Sequence, residues 1–150
     1  MKPLVVLLVA FLLSASIFKI TSNDYKFALS ARIAMSVMLL FTAVGHFKFA
    51  KGMILMIPDI IPYKKEMVFL TGLFEIAAAI GLLIPVTRVW TGYLLIAFFI
   101  LILPANIFSA IKQVDYQNGT FNGPGLGYLW FRIPLQLLFI AWTFLSAIKF

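Results

Sequence analysis

Five long apolar runs constrain the fold of this 150-residue chain more than any other feature. A helix needs about 20 mainly apolar residues to cross a bilayer. Lipid cannot hydrogen-bond to an open backbone, so spanning segments must be helices or closed barrels. The sequence therefore predicts an all-α, multi-pass membrane protein with five spans, over residues 3–18, 28–49, 67–84, 90–111 and 127–148.

Composition supports this fold class. Hydrophobic residues make up 63% of the chain and charged residues only 11%, whereas soluble domains carry about 25% charged residues. The net charge is +7, but the basic residues stand mostly beside apolar runs, which predicts membrane lipids as partners and no nucleic acid. The absence of cysteine excludes thiol chemistry within the chain.

The first apolar run differs from the other four. It is short and ends in Ser14-Ala15-Ser16, a pattern that also fits a signal-peptidase site. Two readings stay open, a cleaved signal peptide and a retained signal-anchor helix, and we favour the retained helix. The predicted domains are an N-terminal transmembrane segment at 1–27 and a four-helix membrane domain at 28–150.

Two connections between the spans have distinct character. Residues 50–66 are apolar but broken by Gly52, Pro58 and Pro62, which predicts an interfacial or re-entrant segment; an ordinary hydrophobic loop is the alternative. Residues 112–126 carry turn signals and predict a loop. With five spans, these connections share one face with the amino terminus. That face carries six basic residues against five on the other, so orientation is not decided.

Prolines and polar residues interrupt the apolar runs. Pro85, Pro104 and Pro134 are predicted to kink or end helices. Polar side chains inside spans are costly and are usually functional or paired. At a rise of about 1.5 Å per residue, five of them lie roughly 5–13 Å from the face that holds the two connections. They are His46, Glu75, Asn106, Arg132 and Gln136.

Their shared depth predicts one polar cluster. Arg132 and Gln136 are four residues apart and share a helix face. The simplest arrangement is an ion pair between Glu75 and Arg132, with Asn106, Gln136 and His46 completing the hydrogen bonds. The cluster either holds a small or lipophilic ligand or only fixes the register of the helices. One histidine and one carboxylate give too few ligands, so no metal site is expected.

Several stretches, taken in order, resemble the DoxX-like family of small bacterial membrane proteins between about Ala31 and Trp142. They are Gly45-His46-Phe47, Met56-Ile57-Pro58 with Ile61-Pro62, Leu70-Thr71-Gly72-Leu73-Phe74-Glu75, Gly81-Leu82-Leu83-Ile84-Pro85-Val86-Thr87-Arg88, Leu103-Pro104-Ala105-Asn106-Ile107 and Arg132-Ile133-Pro134-Leu135-Gln136.

The resemblance implies a four-helix membrane bundle in the bacterial cytoplasmic membrane. The first apolar run would then be one additional N-terminal transmembrane helix. The family takes its name from a subunit associated with thiosulfate:quinone oxidoreductase, which implies a quinone as candidate ligand or cofactor and redox proteins as candidate partners. The residues themselves supply no redox centre, and no cofactor is evident from them.

Three functions are compatible with these patterns. The leading one is a membrane protein, not an enzyme on its own, that binds a lipophile such as a quinone, or a partner subunit, at the polar cluster. The second is an enzyme: a subunit of a quinone-linked oxidoreductase, or an acid–base isomerase in which Glu75 and His46 move protons. The third is a structural or assembly subunit without a ligand.

Overall fold

A computed structural model describes residues 2–24, 26–57, 60–113, 121–123, 125, 127 and 129–149. Within these ranges the protein is helical and contains no strand. The helices are α1 (Lys2–Ser22), α2 (Phe27–Lys48), α3 (Ala50–Ile54), α4 (Lys64–Leu83), α5 (Arg88–Leu101), α6 (Leu103–Lys112) and α7 (Leu129–Thr143), the last continued by a π-helical segment at Phe144–Lys149.

Five helical segments of the described chain are long and apolar enough to span a membrane. They are Pro3–Ser22, Phe27–Lys48, Lys64–Leu83, Arg88–Lys112 and Leu129–Lys149. The fourth joins α5 and α6 across a break at Ile102. Pro104 lies in the first turn of α6, where a missing backbone N–H does least harm. The predicted all-α fold with five apolar helices of spanning length is confirmed for the described residues.

The first helix extends four residues beyond the predicted run. Thr21 and Ser22 donate their hydroxyls to the carbonyls of Ile17 and Phe18, each at 2.8 Å. These bonds let polar residues continue the last turn of α1. Pro85 lies in the turn after α4, as predicted, whereas Pro134 lies inside α7 without ending it.

Helix α2 lies between α1 and α4 and packs most extensively against both. Ser36 on α2 donates to the carbonyl of Ala79 on α4 at 2.8 Å. On the other side, the indole of Trp142 donates to the carbonyl of Ala31 at 2.9 Å. The ring of Trp142 also meets Phe11 of α1 edge-on, with centroids 5.3 Å apart. These contacts fix α2 between its neighbours.

The segment predicted as interfacial contains the short helix α3 and a turn at 55–57. Gly52 is buried there, and Pro62 comes two residues before α4 begins. Pro58 and most of the loop predicted at 112–126 lie outside the described residues. The position of this segment relative to a membrane surface stays a prediction.

Candidate functional site

The site is built on the contact between α2 and α4. His46, in the last turn of α2, places its Nε2 3.4 Å from Oε1 of Glu75, near the middle of α4. Both side chains are mostly buried. Two of the five predicted polar residues therefore meet directly across a helix interface.

Two threonines complete this contact with a reciprocal pattern. Thr42 stands one turn before His46 on α2, and its hydroxyl donates to Oε2 of Glu75 at 3.0 Å. Thr71 stands one turn before Glu75 on α4, and its Oγ1 lies 3.1 Å from Nδ1 of His46. Because residues four apart share a helix face, each helix offers one threonine and one ionisable residue to the other.

The partners of the imidazole determine where its protons are. Nδ1 lies 3.2 Å from the carbonyl of Val68, which can only accept a hydrogen bond. When Nδ1 donates to this carbonyl, the contact between Nε2 and Glu75 needs one further proton. The pair is either imidazolium with carboxylate or imidazole with carboxylic acid. In both forms it has no net charge, which lowers the cost of placing it in lipid.

Gly72 allows the two helices to approach at this point. A Cβ atom on Gly72 would lie 3.0 Å from Cβ of His46 and 3.2 Å from Cζ of Phe47. Small residues at helix interfaces in membranes permit this kind of close backbone contact. Gly72 thus positions His46 against α4.

A small cavity of about 50 Å³ lies beside Glu75. Its walls contain three polar residues of the predicted cluster, Glu75, Arg132 and Gln136, and Thr42. Apolar side chains from α2, the α5–α6 break and α7 form the remainder, with a contribution from the start of α1. They are Pro3, Met38, Leu39, Phe99, Ile102 and Phe139.

Gln136 is held rigidly in the wall of this cavity. It is completely buried, and its Nε2 donates to the carbonyl of Phe99 at 2.8 Å. Its Oε1 has no hydrogen-bond partner among the described residues. A buried acceptor without a partner costs about 1–3 kcal/mol, so a donor that reaches this oxygen would be stabilising.

The structure brings most residues of the predicted cluster together, but they do not all line the same cavity. Glu75, Arg132 and Gln136 line the cavity. His46 contacts Glu75 but is not among the described lining residues. Asn106 is buried on α6 and is not among the described residues that line the cavity. Its Nδ2 has no hydrogen-bond partner among the described residues. The ion pair between Glu75 and Arg132 stays a prediction, as does a functional role for the cluster.

Thr42 and Thr71 were missed by the sequence reasoning, which considered only strongly polar side chains. A signal was present: each threonine precedes an ionisable residue by four positions in neighbouring spans. Among the described residues no group of three His, Cys, Asp or Glu side chains is arranged to hold a metal ion. The absence of a metal site therefore stays a prediction.

The fold and this site define a multi-span helical membrane protein with a small cavity that is lined by polar and apolar side chains. Residues 35–147 match the model of a family described as a domain of unknown function, DUF8561. This match covers well over half of the chain, which therefore belongs to that family. Comparisons with curated proteins and with solved structures gave no match.

Proposed function

We propose that this membrane protein binds a small lipophilic molecule with a polar head, of the quinone type, in the cavity beside Glu75. The observation that carries the proposal is the cavity itself, where Glu75, Arg132 and Gln136 meet an otherwise apolar wall. Ligand sites typically combine a mainly apolar lining with a few convergent polar groups.

The polar groups suit a head group with oxygen atoms. The guanidinium of Arg132 offers only donors, and Oε1 of Gln136 offers an acceptor. Glu75 accepts when ionised and donates when protonated, and its contact with His46 provides the proton. A carbonyl or hydroxyl head group would therefore find matching partners in the quinone or the quinol form.

The cavity is smaller than the ligand it would hold. Its volume of about 50 Å³ compares with about 300–1,000 Å³ for typical small-molecule sites. Binding must therefore widen it. Pro3 of α1 forms part of the wall, and α1 is the least buried of the five spans. In this proposal a shift of α1 admits the ligand from the lipid.

The DoxX-like resemblance supports the same proposal at the level of the fold. It favours a four-helix domain over 28–150, a bacterial cytoplasmic membrane, and one additional helix at the amino terminus. In this reading the protein is not an enzyme on its own. It would act as a subunit of a quinone-linked oxidoreductase, together with redox partner proteins. Its own residues would bind the quinone but would not transfer electrons.

A second candidate is a purely structural role. It is favoured by the completeness of the hydrogen bonds around His46 and Glu75, since Thr42, Thr71 and the Val68 carbonyl satisfy both side chains without a ligand.

Acid–base isomerisation is less favoured. The 3.4 Å distance between His46 and Glu75 permits proton transfer, but His46 is not among the described residues that line the cavity.

Photochemical cross-linking tests the proposal. A short-chain benzoquinone carrying a diazirine is irradiated with the purified protein, and the labelled peptides are identified by mass spectrometry. Labels are expected on the cavity wall, at Met38 and Phe139, and competition by unlabelled quinone should remove them. Glu75→Gln should reduce this labelling, whereas Glu66→Gln, an exposed acid in the first turn of the same helix, should not.

Labels found only on lipid-facing positions, unchanged by competition and by Glu75→Gln, would contradict the proposal. They would favour the structural role, in which the polar contacts serve only to hold α2 against α4.

A further inference from the structure

The cavity beside Glu75 is lined by a polar side chain whose hydrogen bonding the fold leaves incomplete. Gln136 lines the cavity and is completely buried. Its Nε2 donates to the carbonyl of Phe99 on α5 at 2.8 Å. Only the nitrogen of a glutamine amide can donate to a carbonyl, so this bond fixes which end of the amide is the oxygen. Oε1 has no hydrogen-bond partner among the described residues, and it is therefore the end left to meet a ligand.

The acidic residue of the same cavity is in a different situation. Each carboxyl oxygen of Glu75 already has a polar neighbour, because Oε1 lies 3.4 Å from Nε2 of His46 and Oε2 accepts a hydrogen bond from Thr42 at 3.0 Å. The protein itself thus satisfies the carboxyl group and leaves the amide oxygen of Gln136 unsatisfied. A donor on a ligand gains most where a buried acceptor has no other partner.

The apolar wall next to Gln136 is partly aromatic. Phe139 lies three residues further along α7 and shares a helix face with Gln136. Phe99, whose carbonyl holds the amide, also lines the cavity. The two ring centroids are 5.7 Å apart, and the ring planes are tilted by 37°. Aromatic rings pack favourably against one another at this separation, so these surroundings favour a flat aromatic ring that carries a hydrogen-bond donor.

We propose that Gln136 selects an aromatic head group with a hydroxyl, as in a phenol or a quinol, over one that carries only carbonyls, as in a quinone. The ligand hydroxyl donates to Oε1 of Gln136, and its ring lies against Phe99 and Phe139. A quinone carbonyl is only an acceptor, so it would leave Oε1 without a partner. This inference rests on the proposed lipophile site and specifies the chemistry of its ligand.

Equilibrium binding of matched ligands tests this selection. A para-alkylphenol is compared with the aryl fluoride of the same alkyl chain, in which fluorine replaces the hydroxyl with a group of similar size that cannot donate. Saturation binding of each tritium-labelled ligand to the full chain is measured in detergent micelles, per mole fraction in the micelle, which removes differences in partitioning. The phenol should bind about tenfold more tightly, as expected for one buried hydrogen bond. The corresponding alkyl-benzoquinone should also bind more weakly than the phenol.

A variant assigns the preference to Gln136. Gln136→Met keeps the length of the side chain and removes the acceptor. It should weaken binding of the phenol about tenfold and leave binding of the aryl fluoride unchanged, which also shows that the variant is folded. Gln113→Met replaces the exposed glutamine that follows α6 and should keep the wild-type ratio.

A spectroscopic readout needs no variant. With the side-chain carbonyl carbon of glutamine isotope-labelled, the Gln136 resonance of the wild type should move downfield with the phenol and not with the aryl fluoride.

The outcomes separate this inference from the proposed function. Equal affinities of the three ligands, a preference for the phenol that persists in Gln136→Met, or a Gln136 resonance that does not respond to the phenol would overturn the inference and leave the lipophile site in place. No saturable binding of any of the three ligands would overturn both.

Discussion

A carboxyl group inside a membrane is tolerated when neighbouring side chains share its charge or its proton. Glu75 has both kinds of neighbour, because Nε2 of His46 lies 3.4 Å away and the Thr42 hydroxyl donates to the other oxygen at 3.0 Å. At the residue scale, these contacts explain how a carboxyl can lie between α2 and α4 while one side of it remains open to the cavity.

Removal of the Thr42 hydroxyl should weaken this arrangement. Thr42→Val keeps the shape of the side chain and removes the hydrogen bond to Glu75. The free energy of unfolding in mixed micelles should fall by about 1 kcal/mol. Thr42→Ser keeps the donor and removes only a methyl group, so its free energy of unfolding should fall by clearly less. A Thr42→Val variant as stable as the wild type would show that the hydrogen bond to Glu75 does not contribute.

His46 and Glu75 should be energetically coupled. His46→Leu leaves the Glu75 carboxyl without its basic partner, which costs about 1–3 kcal/mol. Glu75→Gln in the same chain should recover part of this loss, since the neutral amide no longer needs the imidazole. A double-mutant cycle by reversible unfolding should give a coupling energy of about 1–2 kcal/mol, and additive losses would argue against the contact.

The sequence predicts which spans carry polar side chains, but not which of these side chains contact each other. The opposite charges of Glu75 and Arg132 predict an ion pair, which stays a prediction. The structure shows His46 against Glu75 and places Arg132 with Glu75 in the wall of one cavity. Pairing depends on the rotation of each helix about its axis. An apolar run that is lipid-facing on several sides gives little information about that rotation.

At the scale of helices, the interface between α2 and α4 depends on Gly72. Gly72→Ala adds a Cβ that would come within 3.0 Å of His46 Cβ, so the helices must separate. We expect a loss of about 1–3 kcal/mol in unfolding free energy. Gly45→Ala is the matched control, because its Cβ would meet only Met53 at 3.6 Å, an ordinary contact, and alanine is the better helix former.

If Gly72→Ala were as stable as the Gly45→Ala control, the close approach of α2 and α4 would be wrong.

The length of the hydrophobic runs predicted where these helices lie. It did not predict the short α3 or the π-helical end of α7, because both depend on local packing rather than on hydrophobicity.

At the scale of the whole molecule, five spans require connections to alternate between the two membrane faces. The chain has no cysteine, so single introduced cysteines report on exposure without background. Lys51→Cys and Gln113→Cys should react with a membrane-impermeant maleimide from one face, and Asn23→Cys and Val86→Cys from the other. Labelling of all four from a single face would contradict the five-span topology.

The direction of this topology is not specified by charge, since six basic residues on one face oppose five on the other. The same maleimide experiment on sealed membranes of known orientation would determine it.

Mass spectrometry of the organic extract of detergent-purified protein tests whether the cavity beside Glu75 holds a lipophile. The wild type, Glu75→Gln, Arg132→Leu and the control Glu66→Gln are compared at matched purity and folding. A quinone or similar lipophile should be enriched in the wild type and the control, and lost from the other two variants. Extracts that hold no specific molecule in any sample would contradict it and assign the polar contacts to a structural role.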